Sequence, residues 1–210
     1  MSQPPITPAN LSEQIKQVLL DQIIAGEIKP GERLVESRIA AQMQTSQAPV
    51  RDAIRELGMT GIVEMRRNKG AIVRAFDREE LAQIYAVRAE LEGMAVELAA
   101  QQQAATVGAE LMALCDQMEA ATGTGKVTQF VKLNNAFHRA IVVASGNGPL
   151  VEIWDRLDIQ SRTAINVTRS EPDFDSVHAD HRAIAKAVSR GQASAARQTL
   201  SEHARKVAGD

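Results

Sequence analysis

The sequence predicts a mostly α protein in two parts. Three short helices closed by a two-stranded ribbon come first, followed by an all-helical antiparallel bundle of about six helices. Three observations carry this reading. Apolar residues recur at the 3.6-residue helical period over most of the chain. Gly and Pro breakers cut that pattern into pieces of helix length. Aromatics make up only 3% of the 210 residues while Ala, Leu, Ile and Val are plentiful, which suits helices packed through aliphatic seams.

Residues 1–9, MSQPPITPA, are Pro-rich and read as a disordered tail. The first domain is expected over 10–75. Its first helix spans about 11–25, with Leu11, Ile15, Val18, Leu19, Gln22 and Ile23 setting the period and Gly26 ending it. KPGERL, residues 29–34, reads as a turn. A short helix over about 36–43 turns Ile39, Ala40 and Met43 inward, and QTSQAP breaks it. Ser46 is placed to cap the next helix, about 47–58, and Pro49 is tolerated only in a first turn. The inward side of that helix is Val50, Ala53, Ile54 and Leu57. Gly58 and Gly61 stop it, and IVEMRRNKGAIVRAF reads as two strands, 62–65 and 71–74, around the basic turn RRNKG.

The second domain is expected over 76–210, with helices at about 77–102, 106–121, 126–144, 148–168, 175–190 and 192–207. The breaks are GTGK, SGNGP and RSEPDFDS. GTGK lacks the upstream Gly and the Ser or Thr after Lys that a phosphate-binding loop needs, so it reads as a linker. No apolar run approaches the ~18 residues of a membrane span. The N-terminus has no basic region followed by an apolar core, so no signal peptide is expected. Cys115, the single cysteine, cannot form an internal disulfide, and it reads as buried. These features fit a cytoplasmic protein without a membrane partner.

Charge is unevenly spread. The whole chain is −2, but residues 1–75 hold 10 Lys and Arg against 8 Asp and Glu. Arg51, Arg55, Arg66, Arg67, Lys69 and Arg74 cluster within 47–74, which points to a local anionic contact. Three helices plus a two-stranded basic ribbon make a winged helix-turn-helix, a module that sets the start of its second motif helix in the major groove. That start carries Ser46, Gln47 and Arg51. Gln can pair bidentately with adenine and Arg with guanine. Arg55, one turn on, and Arg66, Arg67 and Lys69 in the wing suit phosphates or the minor groove.

The run GEIKPGERLVESRIAAQMQTSQAPVRDAIRELGMTGIVEMRRNKGAIV resembles the DNA-binding domain of GntR-type bacterial transcription regulators. The shared features are G-x-[IL]-x-PGERL-x-E, S-x-x-PVR-x-A[IL] and the wing's N-[KR]-Ga-x-V. Gln47 stands where the family usually has an operator-reading Arg, while Arg51 is retained.

The second domain poses a different question. In LNNAFHRAI, residues 133–141, Asn134 and His138 share a helix face at roughly 100° per residue, and Phe130 and Ile141 lie on it too. Burying an unsatisfied amide or imidazole costs on the order of 1–3 kcal/mol. His181 and His203 sit on apolar stripes of two further helices. Three imidazoles facing one interior need a shared divalent cation, or hydrogen-bond partners that apolar stripes do not supply. Residues 77–210 resemble the helical effector domain of the FadR-like (FCD) branch of the GntR family. The matching motifs are R-x-x-LE at 88–92, N-x-x-FH-x-x-I at 134–141, S-x-x-x-DH-x-x-I at 176–184 and L-x-x-H at 200–203. Six expected helices suggest the VanR-like subgroup. Metal-binding members use one Asp and three His, and by position the resemblance places them at Asn134, His138, His181 and His203, with Asn in the Asp position. Zinc or nickel is the metal expected. Arg88 matches an Arg that lines the family's ligand cavity, which implies a grip on an effector carboxylate; a buried Arg88–Glu92 pair is the alternative. Trp154 and Met94 read as core, His178 as a rim residue.

The expected protein is a homodimeric, ligand-responsive transcription regulator and not an enzyme. It would bind palindromic operator DNA and be released by a small carboxylate bound at or near the metal. A metal sensor without organic effector is the alternative. A zinc hydrolase shares the three-histidine plan, but no general base is evident and the winged helix would be unexplained.

Overall fold

The computed structural model describes residues 11–66, 70–157 and 173–208, and the chain divides into two compact units, Met1–Ala75 and Phe76–Asp210. The expected tail at 1–9, Arg67 and Lys69 in the wing turn, and the far end of the helix expected to reach 168 lie outside the described residues.

In the first unit, α1 (Leu11–Ile24) lays Ile15, Leu19 and Ile23 against α3 (Gln47–Met59), whose Val50, Ala53, Ile54 and Leu57 are all buried. The preceding helix α2 (Glu36–Gln42) contributes Ile39 and Ala40. Ser46 takes the extended N-cap conformation of α3, but its hydroxyl makes no capping bond. Gly61, at φ 78°, turns the chain out of α3 into the ribbon of β2 (Val63–Arg66) and β3 (Gly70–Val73), an antiparallel pair with Glu64 opposite Ile72.

Two expectations fail here. KPGERL is more than a turn: β1 (Arg33–Leu34) adds to β3, with Arg33 opposite Ile72 and Leu34 opposite Ala71, giving the sheet order β1-β3-β2. The turn before it is fixed by Gly31 at φ 86°, whose N–H donates to the Val73 carbonyl at 2.8 Å. On α1, Leu11 and Val18 are exposed, and Leu20 and Ile24 take the inward places.

The second unit is built from α4 (Arg78–Gln102), α5 (Ala104–Gly123), α6 (Val127–Ala144), α7 (Gly148–Arg156), α8 (Phe174–Ser189) and α9 (Ala193–Ala208). The starts of α4, α7 and α8 follow the capping rules. Asp77 accepts from the Glu80 N–H at 2.7 Å, Asn147 from Leu150 and Asp173 from Ser176. Small residues let helices approach closely: Ala95 and Ala99 of α4 are fully buried, and α4 packs along α9. Gly108 of α5 lies so close to α8 that a β-carbon there would stand 2.4 Å from Ser189 Cβ and 2.6 Å from its Cα. Trp154 and Cys115 are buried, but Met94 is 45% exposed. It belongs to a second apolar stripe on α4, away from the core face.

Candidate metal centre and DNA-contact face

Helix α6 buries both Asn134 and His138, one turn apart, beside the fully buried Phe137. From α8 comes His181 and from α9 His203, both buried. The three imidazoles meet: one ring nitrogen from each lies within 4.8 Å of the others, and Phe137 sets its ring edge-to-face against His138 and His181.

The outer nitrogens all face acceptors. His181 Nδ1 lies 2.7 Å from the Val177 carbonyl, which can only accept, so Nδ1 carries the proton and donates. His138 Nδ1 lies 2.8 Å from Oε2 of Glu92, again an acceptor. His203 Nδ1 faces Asp180 Oδ2 at 3.4 Å, and Lys206 closes on the same carboxylate at 2.8 Å. With each Nδ1 set against an acceptor, the Nε2 atoms are left for the interior. Those of His138 and His181 stand 3.3 Å apart.

Two facing lone pairs repel unless a cation lies between them. A proton could serve only by making one ring an imidazolium. Burial, with the Arg88 charge adding to it, pulls His138 down to about 4. Burial and the neighbouring histidines hold His181 well below its usual range. Both rings are therefore neutral near pH 7. Two nitrogens bound about 2.0–2.1 Å from a tetrahedral zinc stand roughly 3.3–3.4 Å apart, so the spacing fits a divalent ion.

Arg88 and Glu92 occupy the buried face of α4. Arg88 Nε donates to Glu92 Oε1 at 2.7 Å, and Trp154 Nε1 donates to the same oxygen at 2.8 Å. Burial alone would raise the Glu92 carboxyl, but Arg88 and His138 outweigh it and bring it down to about 2, so the group is a carboxylate. The buried Arg88–Glu92 pair is present, and it sits within electrostatic range of His138 and His181.

Sequence reasoning missed what Glu92 and Asp180 do. Glu92 was read only as a partner of Arg88, although its place four residues on, on the same buried face, was a usable signal. Asp180 lies within the DH motif, yet its contact is with His203 on another helix. His178 is not a rim residue. It is buried between Phe130 and Phe174, with Nε2 2.9 Å from Thr122 Oγ1.

In the first unit, Ser46, Gln47, Arg51 and Arg55 are all exposed along the first half of α3. Arg51 rests on Glu36 of α2, Nε to Oε2 at 3.0 Å, an exposed pair that orients the guanidinium at little energetic gain. Arg66, at the end of β2, is held the same way by Glu64 at 2.9 Å.

Comparison with known proteins agrees on what the chain is similar to. Residues 11–73 match the family described as bacterial regulatory proteins, gntR family, and residues 83–206 match the FCD domain. A relative from Paenarthrobacter nicotinovorans, named as a probable D-xylose utilization operon transcriptional repressor, is 30% identical over 198 residues, covering 94% of this chain and 87% of that one. The transcriptional repressor GlaR of Escherichia coli K12 is 27% identical over 198 residues, 88% of each chain. Among solved structures, E. coli McbR/YncC superposes with a TM-score of 0.78 at 24% identity, covering 93% of this chain and 94% of that one. Among the described residues no helix is long and apolar enough to cross a membrane. The chain belongs to the GntR family of bacterial transcription regulators, a DNA-binding GntR domain followed by an FCD domain, and it is a regulator and not an enzyme.

Proposed function

We propose that this regulator reads a palindromic operator with its first unit and senses a small carboxylate with its second, through zinc or nickel held by His138, His181, His203 and Asn134. The observation that carries the metal reading is the 3.3 Å approach of two neutral Nε2 atoms, with His181 Nδ1 bonded to the Val177 carbonyl and His138 Nδ1 set 2.8 Å from the Glu92 carboxylate. Asn134, buried a turn before His138, offers an amide oxygen in place of the family's carboxylate. Four neutral donors leave the full +2 charge of the ion for an incoming anion, and the ion would supply Lewis-acid attraction for its carboxylate. Arg88 adds positive charge beside the same histidines. In the first unit, Ser46, Gln47 and Arg51 contact base edges, while Arg55, Arg66, Arg67 and Lys69 neutralise phosphates or reach the minor groove.

The dimer reading is supported by α4. Ile84, Val87, Leu91, Met94 and Leu98 repeat at 3-4-3-4 spacing outside the core face, with Val87 52% and Met94 45% exposed. Two copies joined there would suit a two-fold operator, and effector binding would shift the placement of the paired reading heads relative to half-site spacing. Relatives named as repressors favour release of DNA by the effector, in the cytoplasm.

Native mass spectrometry of the purified protein tests this reading. It should reveal a dimer with one divalent metal per chain and a co-purified organic acid lost on mild activation. A metal-free monomer with no bound acid would refute it.

A further inference from the structure

The geometry points to Glu92 as the positioning residue that fixes the proton of His138 on Nδ1 and thereby makes its Nε2 a metal donor; the inference rests on the metal reading above. Glu92 joins three helices. Its Oε1 accepts from Arg88 Nε on α4 and from Trp154 Nε1 on α7, at 2.7 and 2.8 Å, and its Oε2 faces His138 Nδ1 on α6 at 2.8 Å. Oε2 and His138 Nδ1 are both buried with no aligned hydrogen-bond partner among the described residues, so each is left to the 2.8 Å contact with the other.

A carboxylate can only accept, and here it accepts from two donors and sets its second oxygen 2.8 Å from His138 Nδ1. That forces the proton of neutral His138 onto Nδ1 and leaves the Nε2 lone pair facing His181 Nε2. A glutamine at this position would have one accepting oxygen and one donating NH2. With its oxygen in the place of Oε1, it satisfies both Arg88 and Trp154, and its NH2 then faces His138 Nδ1. The ring must accept there and carry its proton on Nε2. In that tautomer Nε2–H donates to His181 Nε2, a satisfied pair that blocks metal. The opposite amide orientation sets NH2 against two donors at once, so the first is favoured. The buried contact network therefore selects between a metal-binding and a metal-refusing histidine by the chemistry of one side-chain oxygen.

The test is Glu92→Gln in the full-length, metal-stripped protein, with zinc as the probe. Nitrogen-15 shifts of labelled histidine should show His138 protonated on Nδ1 in the parent and on Nε2 in E92Q. Calorimetric zinc affinity should fall about 10- to 100-fold, the range for loss of such an orienting partner. Trp154→Phe, which removes a donor from Oε1 and leaves Oε2 in place, should lower thermal stability without changing the His138 tautomer. An unchanged tautomer and equal zinc affinity in E92Q would overturn the inference while leaving the metal reading standing. A parent that binds no zinc would overturn the metal reading, and the tautomer measurement would still decide the role of Glu92. Should E92Q not fold, the metal-free parent decides alone: a proton on His138 Nε2 there contradicts the assignment.

Discussion

Acidification should unfold the helical unit well before its carboxylates titrate. His138 titrates at about 4 in the fold against 6.5 when free, because burial and the Arg88 charge disfavour its imidazolium. Between those values the unfolded chain holds a proton that the folded chain refuses, so stability falls as pH falls, by about 1.4 kcal/mol per pH unit for each such group. From pH 7 to 5 His138 alone should remove about 2 kcal/mol. His181, also held well below its usual range, acts in the same direction, and His178 adds to it. Glu92 does not blur the window, because its carboxyl, lowered from 4.5 to about 2, contributes only below pH 4.5. The assay is urea unfolding of chelator-treated protein, followed by fluorescence of Trp154, the chain's single tryptophan, which is buried in this unit. Unfolding free energy should drop by at least about 2 kcal/mol between pH 7 and pH 5. The drop should shrink by about 2 kcal/mol in His138→Gln. Equal stability at both pH values would refute the buried, neutral state on which the site argument stands.

Arg51→Ala should cost about 1–3 kcal/mol of specific operator affinity in a gel-shift titration, the range for a bidentate base contact, and intact affinity would mean α3 does not read bases. Gln47→Arg should shift the preferred site from adenine towards guanine at one position of each half-site, and identical sites selected from a random DNA pool would place Gln47 off the bases. Asn134→Asp should tighten zinc binding and weaken carboxylate binding to the loaded protein, because the added negative charge halves the net charge left for the anion; calorimetry with zinc and then citrate reads both. Gly108→Ala should lower stability by about 1–3 kcal/mol or more, because the new methyl would meet the Ser189 backbone at 2.6 Å and not a movable side-chain tip. An unchanged melting temperature would show that α5 and α8 can part freely.

What could be read from the sequence depended on how local its cause was. Helix α3 was legible because Ser46, Pro49 and the inward Val50, Ala53, Ile54 and Leu57 mark its start and face within one segment. Strand β1 was not, since two residues have no period and their pairing with Ala71 and Ile72 is set by a chain segment far along the sequence. Met94 looked like core because the core stripe of α4 and its second apolar stripe overlap on one helix, so periodicity alone did not say which face goes inside. His178 was misjudged because Phe130 and Phe174, which cover it, lie on other turns and another helix. The histidine cluster was legible from apolar stripes. The Glu92 link to His138 and Trp154 was not, because it spans α4, α6 and α7 and only folding brings those atoms together.

We propose that a carboxylate acting through a metal at the three histidines controls DNA binding. The most direct measurement is operator affinity by fluorescence anisotropy, titrated with citrate and related acids, on zinc-loaded parent, chelated parent and zinc-treated His181→Ala. An acid should weaken operator binding by 10-fold or more in the loaded parent alone, with little change in the other two. An equal response in all three would contradict it.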